Sequence, residues 1–297
     1  MTAPSLALGD PRPWPAPGKL NLFLHIVGRR DDGYHLLQTA FQFIDLCDEL
    51  RFWRRPAGVI ERVGKVAGVP AATDLALRAA RTLADRGDGR LGVGIEIVKR
   101  LPLQAGVGGG SSDAATVLVG LNRLWRLGIP ADELAALGLA LGADVPVFVR
   151  GAAAWAEGVG ERLTPVDFPE PIYALVRPDV SVATAEVFQA TELTRDSPVI
   201  TINGFLAAGG RNDFEPVVRQ RYPAVAAALD WLGRFAPARL TGSGSCVFAA
   251  MSDESTARAV LARLPPRWTG YVARGLNRSP LLDRVRIEEA QAPGSAC

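Results

Sequence analysis

The residues best suited to chemistry lie in the stretch LPLQAGVGGGSSDAA, where Gly106, Gly108, Gly109 and Gly110 separate an apolar run ending at Val98 from a serine-led run beginning at Ser111. A glycine inside a helix or strand costs about 0.5 to 1 kcal/mol relative to alanine, so three in succession disfavour either element and imply a special backbone path. Without Cβ atoms, main-chain N–H groups can approach an anion, and the positive end of a following helix faces the same charge. Ser111 and Ser112 add hydroxyl donors or a ligand for magnesium. A plain flexible turn is the alternative, but the position between a strand and a helix favours phosphate binding. No G-x-x-x-x-G-K-[ST] loop occurs, and the dinucleotide pattern counted from Gly106 ends on Ser111 instead of glycine.

Lysine occurs only at Lys19, Lys65 and Lys99. Its compact ammonium suits a phosphate or an ionising hydroxyl, although a lysine at a strand start such as Lys19 equally reads as a solvated charge. Asp144, in GADVPVFV, is framed by apolar residues; it reads either as a general base or as a helix cap with Pro146 in the first turn. His25 and His35 are the only histidines, so a multi-histidine metal site is excluded and no metal ligands are assigned. His25 falls inside a strand pattern and reads as structural. His35 follows Gly33 and Tyr34 in a polar turn, where the two rings could stack on a base or simply form a hairpin corner.

The elements that must position these groups form a mixed α+β pattern. Lys19 to Val27 alternates with period two, Phe41 to Leu46 and Leu50 to Trp53 read as two further strands, and Val93 to Val98 leads into the glycine loop. Helices are predicted from Thr73 as N-cap to Gly87, from Ser111 to Leu127 with a serine cap, and from Ala131 to Leu141. The second half alternates strands near Ala152 to Glu157, Ile172 to Arg177, Cys246 to Met251 and Gly270 to Arg274 with helices near Val187, Ala224 to Phe235 and Ser255 to Leu264. Met1 to Pro17 reads as a poorly ordered, proline-rich leader.

With 297 residues, 48% hydrophobic and 22% charged, the chain has the composition of a globular protein of two domains, with a boundary near Gly151. A formal charge of +2 is too balanced for broad binding to nucleic acid or anionic lipid. Cys47, Cys246 and Cys297 form no C-x-x-C pair, which argues against a disulfide framework or structural zinc and fits a reducing cytoplasm. Neither a signal peptide nor a membrane-spanning apolar run is expected.

Three blocks, PGKLNLFL with GYHLLQT downstream, LPLQAGVGGGSSDAA, and LTGSGSCVFA, resemble in order and spacing the three motifs of the GHMP small-molecule kinase superfamily. DGYHLLQTAFQFIDLCDEL, LGADVPVFVRGAAAWAEGVGE and ARLTGSGSCVF are similar to the branch whose acceptor is a cytidine-diphosphate-linked methylerythritol of the non-mevalonate isoprenoid pathway. The resemblance runs from about Pro15 to Pro280. It implies a two-domain α+β fold: a ribosomal protein S5 domain 2-like ATP-binding domain over 1–150 and a ferredoxin-like C-terminal domain over 151–297, with the last strand and tail able to return to the first. It also implies transfer of the ATP γ-phosphate to the acceptor's 2-hydroxyl, with magnesium expected alongside ATP.

By motif position, Asp144 matches the family base and Lys19 the lysine that polarises the hydroxyl. Pro102, Leu103, Gln104, Ala105, Gly106, Val107, Gly108, Gly109, Gly110, Ser111 and Ser112 match the phosphate loop; Lys99 and Asp74 correspond to contacts around the adenosine. Tyr34, His35 and Phe188 match the groups that hold the cytosine, and Asn21 a substrate-contacting asparagine. The chain departs from the family pattern in three places. Pro17-Gly18-Lys19 replaces the usual PAK and should loosen the backbone before the lysine. Gln104 and Ala105 stand where glycines are common, and Asp74 where asparagine is. Two other readings are a kinase of the same superfamily acting on homoserine, mevalonate or a sugar, which the Gly33-Tyr34-His35 turn disfavours, and a catalytically silent ATP-binding module. The expected partner is a small-molecule substrate, without nucleic acid or membrane, for a monomer or weak homodimer.

Overall fold

From Trp14 onward the proline-rich start is not loose. Trp14–Arg29 is one strand, β1, antiparallel to β2 (His35–Arg54), and Trp14 is 1% exposed. Trp14 lies opposite Leu50 and Pro17 opposite Cys47. Among the described residues no ladder strand runs along the other side of β1 here, so the missing N–H groups of Pro15 and Pro17 forfeit no sheet bond. This computed structural model describes residues 7–66, 68–87 and 91–290; the first six residues of the expected leader, and Cys297, lie outside them.

The two strands expected at Phe41 and Leu50 are a single 20-residue strand. The chain continues through Asp45 to Glu49 because Asp48, fully buried, is compensated: its carboxylate accepts from the N–H groups of Arg100 and Leu101 and pairs with Lys99. β2 then pairs with almost everything around it. Its neighbours are β1, β4 (Val93–Val98), β5 (Ala154–Glu157) and β10 (Thr269–Leu276), with β3 (Ile60–Val63) beyond β4 and β6 (Arg162–Pro165) beyond β5. β10 carries the sheet onward to β7 (Ile172–Arg177), β9 (Val247–Met251) and β8 (Arg239–Leu240).

The helices are α1 (Leu75–Ala84), α2 (Gly109–Leu124), α3 (Ala131–Leu139), α4 (Val145–Arg150), α5 (Thr184–Gln189), α6 (Ile202–Ala208), α7 (Glu215–Arg221), α8 (Pro223–Leu232), α9 (Glu254–Leu261) and α10 (Pro280–Ala290). Two caps differ from expectation. Asp74, not Thr73, caps α1 by accepting from Ala76 N at 2.9 Å; Thr73 ends a short 3-10 turn. α2 begins two residues before Ser111, with Gly108 at the cap position, and it stops at Leu124 because Arg126 turns to φ +56°.

Apolar packing falls into three clusters. One gathers α1, α2 and α4 against the N-terminal half of the sheet, around Trp14, Phe52, Leu83, Leu118 and Phe148. A second surrounds Val176, Phe214, Leu229 and Val247. The third joins both halves through Leu20, Phe23, Ile44, Trp155, Leu175 and Phe248. α10 returns to pack on β1 and α2. Among the described residues, no helix is long and apolar enough to cross a membrane.

Candidate active site

A cleft of about 1410 Å3 opens where β1, the glycine loop, the start of α4, α5 and the turn at Gly242 to Gly244 converge. Single-ligand pockets are typically about 300 to 1,000 Å3, so this one has room for two substrates. Register shifts in β1 between Pro17 and Lys19 and between Asn21 and Phe23 flank two polar residues that both line the cleft. Lys19 is 3% exposed, and its Nζ lies 3.2 Å from Asp144 Oδ2, on a carboxylate that is 34% exposed. The same Nζ donates to Asn21 Oδ1 and sits 5.3 Å from the centre of the Phe41 ring. Asn21 Nδ2 donates to Thr39 Oγ1 at 2.9 Å, which fixes which end of the amide meets the lysine. Asp144 occupies the cap position of α4, but its side chain caps no N–H; it faces Lys19 instead.

Gly18 does not loosen the approach to Lys19. A Cβ there would lie 2.8 Å from Leu101 and 3.0 Å from Ile44, so the glycine allows close packing under the strand.

The glycine loop is stitched to three parts of the chain. Lys19 N donates to Val107 O at 2.9 Å, Cys246 N to Ala105 O at 3.2 Å, and Thr241 Oγ1 to Gly106 O at 3.2 Å. Gly106 (φ +75°) is obligatory, because a Cβ would stand 2.1 Å from the Thr241 carbonyl oxygen. At Gly108 (φ +74°) a Cβ would meet the Phe148 ring at 2.8 Å and Lys19 Cε at 3.2 Å. The glycines thus let the backbone pass close to protein, and Gly106 and Gly108 also line the cleft. Gly109 and Gly110 form the first turn of α2. Gln104 lies in the left-handed region, at φ +51°, and lines the cleft with Gly106, Gly108 and Ser111. Ser112 is fully buried, and its hydroxyl has no hydrogen-bond partner.

Lys99 and Asp74 do not line the cleft. Lys99 is held between Asp48 and Asp113, the latter at 2.7 Å, at the start of α2. Burial raises the Asp113 carboxyl, Lys99 pulls it back down, and Asp48 adds to the rise. Burial lowers Lys99 as well, but the two carboxylates more than offset it and the ammonium is favoured. Asp74 pairs with Arg62 at 3.0 Å while capping α1.

At the other end of the cleft, Tyr34 is 65% exposed. Its turn is braced by Tyr34 N donating to Asp32 at 3.2 Å and Arg29 Nε donating to Gly33 O at 3.1 Å. His35 stacks on Phe188, with centroids 4.9 Å apart and planes at 25°, and Phe188 rests edge-on against buried Phe214. Burial, with Arg195 and Arg29 nearby, lowers the His35 pKa and favours neutral imidazole. His25 lies outside the cleft lining, buried edge-on to Phe23.

Sequence reasoning missed Thr39, which orients Asn21, and Thr241, which accepts from Asn21 N at 3.1 Å and ties the second glycine turn to the loop. It also missed Arg195. The LTGSGS run was the only available signal for Thr241; nothing local marks the other two. Cys47 and Cys246 are free thiols, and burial pushes Cys246 up to about 12. No group of three or more metal-ligating side chains occurs among the described residues.

Comparison with known proteins points the same way. The GHMP kinases N terminal domain model matches residues 74–152, and the GHMP kinases C terminal model matches residues 200–268. The 4-diphosphocytidyl-2-C-methyl-D-erythritol kinase of Nitrosococcus oceani is 59% identical over 91% of this chain and 96% of its own. The enzyme of the same name from Pseudomonas aeruginosa is 56% identical over 90% of this chain and 95% of its own. A crystal structure of 4-(cytidine 5'-diphospho)-2C-methyl-D-erythritol kinase, 32% identical, aligns with a TM-score of 0.75 over 88% of this chain and 98% of its own. Mevalonate kinase from Methanococcus jannaschii, at 16% identity and a TM-score of 0.67 over 91% of this chain and 99% of its own, shares the fold.

Proposed function

The chain belongs to the GHMP kinases and, within them, to the 4-diphosphocytidyl-2-C-methyl-D-erythritol kinases, and from that premise we propose how its own residues carry out the reaction. It is a phosphotransferase with an alcohol acceptor: it uses ATP to phosphorylate the 2-hydroxyl of 4-diphosphocytidyl-2-C-methyl-D-erythritol in the non-mevalonate isoprenoid pathway. Phosphoryl transfer asks a protein for positioning and charge stabilisation more than for covalent chemistry. In the proposed step, the 2-hydroxyl oxygen attacks the γ-phosphorus, the bond from phosphorus to the β–γ bridging oxygen breaks, ADP leaves, and the hydroxyl proton passes to Asp144. Lys19, held by Asn21 and Asp144, polarises that hydroxyl and offsets the charge that develops on oxygen.

The loop from Pro102 to Ser112 and the first turn of α2 hold the phosphates through main-chain N–H groups. Lys99 and Asp74 enter through the elements they anchor, the starts of α2 and α1. Tyr34, His35 and Phe188 hold the cytosine. Magnesium is expected with ATP and would neutralise phosphate charge there; its shell would come chiefly from phosphate oxygens and water, because the Ser112 hydroxyl, although without a hydrogen-bond partner, is fully buried and outside the cleft lining. The division into an ATP-binding unit over 1–150 and a second unit over 151–297 belongs to the same proposal, as does a cytoplasmic monomer or weak homodimer.

The observation that carries the mechanism is the 3.2 Å approach of Lys19 to Asp144 directly beside the glycine loop. An ADP-release assay with purified protein tests the acceptor: turnover is expected with the cytidyl substrate and not with homoserine, mevalonate or a sugar. ADP formed without any acceptor, or preferentially with one of those three, would overturn the reading.

A further inference from the structure

Arg195 stands 160 residues from His35 in the chain yet donates to it, Nε to Nε2, at 3.2 Å. The rest of its guanidinium is spent on the segment that carries Phe188. Nη2 donates to Phe188 O at 3.0 Å and Ala190 O at 2.7 Å, and Nη1 donates to Leu193 O at 3.0 Å. One rigid five-donor fork therefore closes the C-terminal end of α5 and grips the imidazole stacked on it.

We infer that Arg195 is a positioning residue for pyrimidine recognition: it fixes the proton of His35 on Nδ1 and locks His35 and Phe188 into one preset wall of the base site.

The chemistry follows from what arginine lacks. It has no acceptor and does not lose its proton, so the ring nitrogen facing it must present a lone pair. A neutral imidazole whose Nε2 accepts carries its hydrogen on Nδ1, and the partner of one nitrogen thereby decides what the other offers. Protonation of His35 would set a second cation against Arg195, with Arg29 also near, and burial opposes it further. His35 thus meets the base as a single tautomer. The backbone bonds do the same for Phe188, whose ring would otherwise sit on a six-residue helix with no side-chain cap. With these two rings preset, ordering them on binding costs less, and only the exposed Tyr34 is left to close over the base.

The inference rests on the base-site reading of Tyr34, His35 and Phe188, and the test separates the two. Because His25 and His35 are the only histidines, long-range 1H–15N spectra of the wild-type protein resolve the tautomer, with His35→Asn assigning the signals. His35 is expected as the Nδ1–H form; the Nε2–H form or a rapidly exchanging mixture would overturn the proposal. Arg195→Met is expected to raise KM for the cytidyl substrate about ten- to a hundredfold, to change kcat about twofold at most, and to leave KM for ATP unaltered. Arg195→Lys, which keeps the charge but not the fork, should recover only part of that loss. An unchanged KM in Arg195→Met beside a raised KM in His35→Asn would sink Arg195's role alone. Unchanged values in both would remove the base site itself. The wild-type spectrum stands whether or not Arg195→Met folds.

Discussion

The two ends of the cleft are built differently. At the phosphate end, the reacting pair stands on the long buried strand β1 and the start of α4, stitched to a loop in which a Cβ at Gly106 or Gly108 would collide with the Thr241 backbone or the Phe148 ring. At the base end, an exposed tyrosine, a half-buried histidine and a phenylalanine on a six-residue helix are held together by one arginine. The first end gains precision from main-chain packing, which suits a transfer sensitive to small displacements of the reacting atoms. The second gains selectivity from side chains at the rim of the core, of which Phe188 still packs on buried Phe214 while Tyr34 is exposed. Damage at the phosphate end should therefore appear in kcat or in stability, and damage at the base end in KM for one substrate.

The largest effect is expected for Asp144→Asn. Loss of a general base typically costs about 10^2 to 10^4 in rate, so kcat should fall by that order while KM for ATP holds; a steady-state assay with near-normal turnover would remove Asp144 as the base. Gly106→Ala comes next. Its Cβ would collide with the Thr241 carbonyl, and overpacking of this kind costs about 1 to 3 kcal/mol, so a thermal melt should show a clear drop along with weakened ATP use. Tyr34→Ala should raise KM for the cytidyl substrate about tenfold and spare ATP, reflecting one lost aromatic contact of order 1 kcal/mol. The smallest effect on activity belongs to Asp74→Ala. Removing a helix cap costs about 1 kcal/mol, and loss of the buried Arg62 ion pair adds to it, so denaturant unfolding should shift clearly while KM for ATP stays within about twofold; a large rise in that KM would instead make Asp74 a direct adenosine contact.

What could be read from the sequence follows the same division. The glycine loop was legible because its signal is local: several residues in a row that only a tight or exposed backbone tolerates. Where α2 begins was not, because Gly109 and Gly110 are poor helix formers and only packing makes them helical. The strand identity of Trp14 to Pro17 was hidden for a related reason: proline is penalised in a ladder, and that penalty vanishes only on a side that faces no partner strand, as on the side of β1 away from β2 among the described residues. Period two identified the strand from Lys19, but not that both its faces are buried, Asn21 and His25 included. Lys19 and Asp144 each had an innocuous reading taken alone, and it was the family resemblance that singled them out. Arg195 was invisible in an arginine-rich chain, since its meaning lies wholly in partners folded against it.

The central claim is that Lys19 and Asp144 work as one device, and a double-mutant comparison tests it most directly. The kcat of Lys19→Met, of Asp144→Asn and of the double variant should show strong non-additivity, with the double variant scarcely slower than Asp144→Asn alone. Losses that simply multiply would mean that the two side chains act independently and that their 3.2 Å contact has no part in the transfer.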